Sequence, residues 1–340
     1  MAAALWLKHV ERLMAPQDAM GLTEFAAETV RPQGPFCAKT TLIKPSHFPS
    51  PFDQTDPDRY RFVTRVKGEI IGVDACMVEH GAVGLRLYRA DRGCDLDVGA
   101  VKAEIRRRLG FEMDLSGYEA IWMRDEILRR LPNEMMGARP SSPFSLYEFL
   151  VICVLLQNTT VGRTVAMANA LSEDLGQEVV FPDGMALRSF WTPPQLVRTG
   201  EERLRVLKLG YRARILDRIS RQFTEEAEME TRLMEIHAHD NLLRQRLMSL
   251  YGVGPASIGY LLFEWFKKID RLDHISPWEL KILSKLLFES ECVAARDMIM
   301  FCRERWAPFT MLAVHAIFES VFWRRLNGNG PEWLDGLIRL

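Results

Sequence analysis

The spacing of apolar and polar residues changes along the chain, and the N-terminal part has the period of strands. Up to about residue 115, runs rich in β-branched and aromatic residues occupy 61–67 and 69–78. Residues 83–88 alternate and follow the turn-like dipeptide His80-Gly81. Short runs of this kind, separated by turn residues, are typical of antiparallel strands. We therefore predict a small antiparallel meander in this part of the chain.

From about residue 100 onward, apolar residues recur three and four positions apart, which is the period of an amphipathic helix. The stretch from Leu146 to Gln157 is almost entirely apolar and predicts a buried helix. Residues 132–143 are rich in Pro, Gly and Ser, and we predict that the chain crosses between two domains there. Further helices are predicted at 101–109, 119–131, 161–175, 200–208, 211–224, 227–237, 241–250, 256–266, 278–288, 293–304 and 309–325.

These patterns predict an α+β fold that is mostly α-helical. An N-terminal α+β domain of residues 1–115 carries the antiparallel sheet, and residues 116–340 form an all-helical domain. Nothing in the pattern after residue 140 demands a strand. A chain of 340 residues is long enough to bury the cores of both domains.

Composition excludes several classes of protein. The formal net charge is -1, so a nucleic-acid surface requires local clustering of Lys and Arg. The six cysteines are scattered without a CxxC pair, which predicts a reduced protein with no metal or iron–sulfur site. Met1–Met14 lacks the layout of a signal peptide, and no apolar run reaches the length of a membrane span. We expect a cytoplasmic monomer.

The most informative segment joins two predicted helices through Tyr251-Gly252-Val253-Gly254. Two glycines in this spacing permit a tight turn and a close approach of another chain. Pro255 suits the first position of the next helix, where its missing N–H would be unpaired in any case. The free N–H groups and the positive dipole end of that helix attract anions such as a phosphate. An ordinary turn between helices is the alternative interpretation.

Four segments together resemble the helix-hairpin-helix (HhH-GPD) DNA glycosylase superfamily, and most nearly its 3-methyladenine DNA glycosylase II branch. The resemblance covers roughly residues 120–325, and the segments occur in the order and spacing of the family. They are 155–161 (LLQNTTV), 209–214 (LGYRAR), the hairpin at 251–255 with Leu250 before it, and 306–309 (WAPF).

The resemblance implies a double-stranded DNA partner that contains a modified base. The hairpin amides of Gly252, Val253, Gly254 and Ala256 would bind a phosphate beside the flipped nucleotide, and the hairpin carbonyls often hold a monovalent cation (Na or K). No other cofactor is expected. Asn158 would fill the space left by the flipped base; the alternative is a helix C-cap, because Asn tolerates left-handed geometry.

The resemblance also implies an aromatic pocket for the flipped base, which must leave the stack before chemistry. Tyr260 and Phe309 would line this pocket, and Gln157 is either structural or beside it. Trp278 and Trp191 are further candidates, and we favour a core position for Trp191, because aromatics at helical spacing usually pack in cores.

Basic residues cluster locally upstream of the hairpin. Residues 196–222 contain eight Lys and Arg against three acidic residues. Such a run is usually a solvated face. Because it adjoins the suspected DNA surface, we expect phosphate contacts from Arg212 and Arg214.

The family's catalytic aspartate is missing. Cleavage of a base from deoxyribose builds positive charge on the sugar, which a fixed anion stabilises. The matching position is Ser276, which is neutral and starts a capping box with Glu279. Since the box places a carboxylate beside the cap, Glu279 is a candidate replacement. Asp273 is the second candidate, and His274 and Asp270 are weaker options.

A lysine that some family members use to cut the strand is also missing, because its position holds Ala256. We therefore predict a monofunctional DNA glycosylase that hydrolyses the N-glycosidic bond and leaves an abasic site. Its substrate would be an alkylated or otherwise modified base, including phage-type hypermodified bases. The alternative is a catalytically inactive DNA- or lesion-binding protein of the same fold, and a third reading is a helical scaffold without a DNA role.

Overall fold

The structure of the protein is a computed structural model. It describes residues 19–78, 81–90 and 96–337. The segment Met1–Met14, His80 of the predicted turn and Cys94 lie outside the described residues.

An antiparallel sheet of five strands forms most of the N-terminal part, in the order β2-β6-β5-β4-β3. Its three central strands, β4 to β6, are those that the alternating pattern predicts. In chain order the strands of this part are β1 (Met20–Gly21), β2 (Thr23–Val30), β3 (Asp53–Asp56), β4 (Arg59–Val66), β5 (Glu69–Val78) and β6 (Ala82–Arg89).

The two faces of this sheet pack against different elements. One face buries Val73 and Leu87 against a helix that supplies Val101 and Ile105. The other face packs against a second sheet of three short strands, and the two layers approach each other closely at Gly72. A Cβ atom at Gly72 would lie 2.6 Å from a methyl carbon of Leu22, so any larger residue there would force the Leu22 side chain to move.

The second sheet corrects the prediction that residues 116–340 are all-helical. Strands β7 (Glu178–Val180) and β8 (Ala186–Arg188) form a hairpin, and β1 pairs with β7 in parallel. Val179, Phe181 and Leu187 are buried against the five-stranded sheet. Strands of three residues carry too little alternation to be recognised in the sequence, and their burial depends on distant residues.

Every predicted helix has a counterpart, with shifted ends in most cases. The helices are α1 (Ala38–Leu42), α2 (Val98–Arg108), α3 (Ser116–Arg124), α4 (Leu146–Leu155), α5 (Val161–Leu175), α6 (Pro193–Val206), α7 (Arg212–Glu225), α8 (Met229–Glu235), α9 (Asp240–Met248), α10 (Pro255–Tyr260), α11 (Pro277–Phe288), α12 (Ala295–Trp306), α13 (Thr310–Leu326) and α14 (Glu332–Asp335). A π-helical turn, Leu261–Trp265, continues α10.

The Pro-, Gly- and Ser-rich segment 132–143 is largely buried rather than a solvated linker. Arg139 is fully buried in it. The Arg139 guanidinium donates hydrogen bonds to the carbonyl oxygens of Gln33, Pro35, Gly110 and Met113. One side chain thus satisfies several loop carbonyls that would otherwise be buried without partners.

The helical part has two large apolar clusters, and α10 with its π-helical turn lies between them; a third, smaller cluster joins α11, α13 and α14. Ile258, Leu262 and Trp265 pack in the cluster of α4 to α10. Phe263 packs in the other cluster, which includes α3 and α11 to α13. The segment that follows the glycine turn is therefore held from both sides, and this fixes the direction in which α10 begins.

Among the described residues, none of the helices has the length and apolar character needed to cross a membrane. The same residues contain no group of three or more His, Cys, Asp or Glu side chains placed to hold a metal ion.

Candidate functional site

The glycine turn between α9 and α10 lies at the surface, and its two glycines serve different purposes. Gly252 has φ 77°, and a Cβ atom there would lie 2.5 Å from Cγ2 of Ile215, so the fold itself requires glycine. A Cβ atom at Gly254 would meet nothing within 4 Å. The side of the turn at Gly254 is therefore open to the approach of another molecule.

The start of α10 leaves backbone donors without partners. Gly254 is the N-cap and offers no side chain, and Pro255 has no N–H. Within the described residues, the amides of Gly254, Ala256 and Ser257 find no acceptor, and Ala256 is exposed. Uncapped amides at a helix start carry partial positive charge and suit an anion.

Val253 departs from the prediction that its amide binds phosphate. The residue is buried, and its N–H donates to the carbonyl oxygen of Leu250 at 3.2 Å within the turn. Its side chain packs in the core cluster of α4 to α10. Val253 therefore stabilises the turn and has no free donor.

The segment after α4 lies directly beside the turn. Gln157 donates from Nε2 to the carbonyl oxygen of Gly252 at 3.1 Å, which makes it a structural link between the two. Asn158 follows, is exposed and has φ 46°. The left-handed geometry agrees with the capping interpretation, and the exposure next to the hairpin leaves the side chain free to enter DNA. Its role as a filling residue stays a prediction.

Arg212 is not a phosphate contact. It is only 3% exposed, and its guanidinium donates to the carbonyl oxygens of Val154 and Gln157 at the end of α4. Those carbonyls carry the negative end of a helix dipole, so the arginine stabilises α4 from inside the protein. Arg214, two residues further on, is exposed and stays a prediction.

The capping box at the start of α11 is confirmed. Ser276 Oγ accepts from the backbone N–H of Glu279, and Glu279 Oε2 accepts from the N–H of Ser276 at 3.0 Å. The other carboxylate oxygen, Oε1, accepts a hydrogen bond from the Tyr260 hydroxyl at 3.0 Å. The carboxylate of Glu279 thus reaches from α11 to the hairpin helix.

Tyr260 is 41% exposed, and its hydroxyl is directed to the Glu279 carboxylate. Burial of the hydroxyl, and next to it the charge of Glu279, raise the pKa of Tyr260 well above its usual value. The phenol therefore keeps its proton and stays a donor to the carboxylate. The predicted pocket residue Tyr260 and the predicted anion Glu279 are brought together by the fold.

Asp273 does not take part in this arrangement. Its two carboxylate oxygens accept from Arg244 at 3.1 Å and from Arg303 at 2.5 Å, on the exposed side of the loop. Two arginines neutralise this charge. The weaker option Asp270 pairs at 3.8 Å with its neighbour Arg271. The position of Asp273 therefore does not support its prediction as a catalytic candidate. The sequence around Asp273 could not reveal this, because both arginines lie about 30 positions away along the chain.

The remaining aromatic candidates lie in different surroundings. Trp191 is buried among Phe52 and Phe190, as the core interpretation predicts. Phe309 lies against Tyr118, with ring centroids 5.4 Å apart.

Trp278 neighbours Glu279 along the chain, but the two side chains have different contacts. Its indole N–H donates to the carbonyl oxygen of Leu337 at 2.8 Å, and its ring packs on Phe318. The C-terminal segment therefore holds Trp278, and its direct place in a base pocket stays a prediction.

One apolar surface was not predicted. Phe149, Ile152, Cys153 and Leu156 are spaced as one stripe of α4, and each is partly exposed. Burial, and then the charge of Glu264, raise the pKa of Cys153 to about 12, so its thiol is neutral. The sequence could not separate this stripe from the buried side of α4, because the helix is apolar all round.

No protein-family model matches the chain. It is 28% identical over 167 residues to "N-glycosylase/DNA lyase" of Saccharomyces cerevisiae, a match that covers 46% of this chain and 44% of that protein. The chain thus spans less than half the length of this curated relative.

Solved structures give a broader likeness. A 3-methyladenine DNA glycosylase from Archaeoglobus fulgidus is similar with a TM-score of 0.69 and 19% identity, over 88% of this chain and 98% of that one. An 8-oxoguanine glycosylase/lyase from Clostridium acetobutylicum is similar with a TM-score of 0.66 and 16% identity, over 89% of this chain and 100% of that one.

These likenesses show the fold: the chain has the fold of the helix-hairpin-helix DNA glycosylases. The predicted superfamily resemblance and the α+β fold with a helical core are therefore confirmed. Both the 3-methyladenine and the 8-oxoguanine enzymes match at similar scores, so the likeness does not separate the two branches.

Proposed function

We propose that this protein is a DNA N-glycosylase that hydrolyses the N-glycosidic bond of a modified base flipped out of duplex DNA. The observation that carries the proposal is the Glu279 carboxylate, held at the Tyr260 hydroxyl on the same hairpin helix that begins with uncapped amides. One helix thus carries both a site for a DNA phosphate at its first residues and, at Tyr260, a hydrogen bond to the protein's own carboxylate, Glu279.

The open amides supply the first step, which is binding. A phosphate at Gly254 and Ala256 would sit on the positive end of α10 without any loss of internal hydrogen bonds. Gln157 fixes the turn from behind through the Gly252 carbonyl. Arg214 and Asn158 are exposed nearby and would contact the DNA backbone and the space left by the flipped base.

The carboxylate supplies the second step. As the bond between C1′ and the base nitrogen breaks, its electron pair leaves with the base and the sugar becomes positively charged. Glu279 would stabilise that charge and orient a water, whose oxygen bonds to C1′ while its proton passes to the carboxylate or to solvent. Ser276 would serve as the N-cap that holds Glu279 in place.

The reaction should stop at the abasic site. A Schiff-base mechanism needs an amine beside the hairpin, and Ala256 has none. Lys267, the next lysine along the chain, is partly buried, and its Nζ donates to three carbonyl oxygens. The proposal therefore differs from the curated relative and the Clostridium enzyme, whose names include a lyase.

A monovalent cation at the hairpin stays a proposal on which no step depends. The carbonyl of Leu250 already accepts from Val253, and that of Gly252 from Gln157. Each oxygen keeps one lone pair, which is the type of ligand that Na⁺ and K⁺ take.

The test is a panel of duplexes that carry single modified bases, incubated with the protein and then treated with alkali. We expect strand breaks only after alkali, which reveals abasic sites, and no covalent complex on borohydride reduction. Breaks without alkali together with a trapped complex would contradict the monofunctional mechanism. Salt-dependent binding with no excision from any duplex would favour the inactive DNA-binding alternative instead.

A further inference from the structure

A polar pair with unused hydrogen-bonding capacity lies behind Tyr260. Lys44 donates from Nζ to Glu264 Oε2 at 2.5 Å, and the amide of Ser141 donates to the same oxygen at 3.1 Å. Glu264 Oε1 accepts nothing from the described residues, and the Lys44 ammonium has two further N–H groups. The side chains are 18% and 12% exposed, so a small ligand group has access to them.

The pair lies at the π-helical turn that continues the hairpin helix, on the side near Cys153 of α4. Glu264 follows Tyr260 by four residues, which places the two on neighbouring parts of one helical surface. The charge of Glu264 also contributes to the raised pKa of Tyr260 and of Cys153, so the carboxylate is close to both. Cys153 lies on the partly exposed stripe of α4.

The distance of the Lys44–Glu264 pair from the start of α10 suits the edge of a flipped base that lies opposite the sugar. Glu264 lies eight residues beyond Ala256, which is about 12 Å along a helix axis. A nucleotide with its phosphate on the Ala256 amide and its sugar beside Glu279 would extend its base in this direction. The part of the base that reaches Lys44 and Glu264 would be the edge opposite the sugar.

A third polar group nearby has no partner. His315 is 6% exposed, and its Nε2 is buried without a hydrogen bond among the described residues. Its ring centroid is 4.9 Å from that of Phe263, which neighbours Glu264. Buried polar atoms are normally paired, so an unpaired one beside an accessible ion pair indicates a site that a ligand completes.

Resting on the proposed function, we propose that Lys44 and Glu264 recognise a flipped base through a lactam edge, a ring N–H next to a carbonyl. Lys44 donates to the carbonyl oxygen, and Glu264 Oε1 accepts from the ring N–H. The pair is neutral as a whole, so it offers no net negative charge to a cationic N-alkylated purine. Neutral lactam bases are therefore the preferred substrates.

The experiment compares excision of two groups of bases. The lactam group is 8-oxoguanine, hypoxanthine and uracil; the other group is N3-methyladenine, N7-methyladenine and 1,N6-ethenoadenine, which have no ring N–H next to a carbonyl. Wild-type protein is compared with the double variant Lys44→Met/Glu264→Gln, which removes both charges together and leaves no buried ion unpaired. The matched control is Lys285→Met/Glu291→Gln, which removes an exposed pair with the same 2.5 Å separation.

We expect wild type to excise a lactam base faster than any base of the other group. In the double variant the ratio of the two excision rates should fall about ten- to hundredfold, which is the discrimination that one bidentate contact to a base provides. The control variant keeps the wild-type ratio. Preferred excision of the other group, or an unchanged ratio in the double variant, would overturn the proposal while leaving the glycosylase function intact. Binding of a duplex with an abasic analogue, which has no base, tests the DNA site separately. If the wild-type protein does not bind this duplex, the proposed function itself is refuted.

Discussion

Two helices that meet at the Tyr260–Glu279 hydrogen bond begin in opposite ways. Helix α10 begins at Gly254-Pro255 with no side chain on its amides, whereas α11 begins at Ser276-Pro277 with both bonds of a capping box formed. Each has proline at its first position, so the difference lies in the capping residues. The uncapped start of α10 leaves its backbone N–H groups free to bind an external anion. The capped start of α11 instead places the Glu279 carboxylate beside Tyr260.

The largest effect should come from the glycine turn, where two identical substitutions should have different outcomes. Gly252→Ala meets both a clash with Ile215 and a left-handed backbone, and we expect a loss of about 3 kcal/mol in the free energy of unfolding. Gly254→Ala has open space and should leave stability within about 0.5 kcal/mol. Denaturant unfolding of both variants measures the difference.

DNA affinity completes this comparison. The methyl group of Gly254→Ala occupies the side on which a phosphate would approach, so we expect its duplex affinity to fall by about tenfold, equivalent to one charge-assisted hydrogen bond. An unchanged affinity in this stable variant would mean that the uncapped start of α10 does not bind DNA.

The next effect concerns the capped start. Ser276→Ala removes the hydroxyl that accepts from the Glu279 amide and should cost about 1 kcal/mol of stability. The bond from the Ser276 backbone N–H to the Glu279 carboxylate remains, so excision should stay within a few-fold of wild type. Loss of excision without loss of stability would instead give the serine a direct chemical role.

The smallest effect at neutral pH is expected for Tyr260→Phe, and it grows with pH. Because burial and Glu279 raise the pKa of Tyr260 in the folded protein, only the unfolded chain ionises just above pH 10. The stability of wild type should therefore fall more steeply with pH there than that of the phenylalanine variant, by less than the unscreened limit of about 1.4 kcal/mol per pH unit, because the Tyr260 side chain is 41% exposed. Equal alkaline slopes for both proteins in denaturant titrations would show that the hydroxyl is not buried.

The parts of the site that rest on neighbouring residues were predictable from the sequence. The turn with Gly252 and Gly254, and the capping box of Ser276 and Glu279, each depend on a few consecutive positions whose geometry is local. The central strands were predictable because alternation over six or more residues reports one buried face.

The parts that depend on distant residues were not predictable. The burial of Arg212 under the end of α4 and the neutralisation of Asp273 by Arg244 and Arg303 join residues more than 25 positions apart. The two three-residue strands β7 and β8 exist because the other sheet covers them. Likewise, Lys44 reaches Glu264 across 220 positions, and no spacing in the sequence reports that pair.

The most direct test of the central claim is single-turnover excision by Glu279→Gln on the best duplex of the panel. Glutamine can still form the capping box, so the fold is kept while the charge is lost. We predict a rate about a hundredfold below wild type with duplex affinity unchanged, and a rate within a few-fold of wild type for the matched variant Asp273→Asn. A wild-type rate for Glu279→Gln would contradict the account.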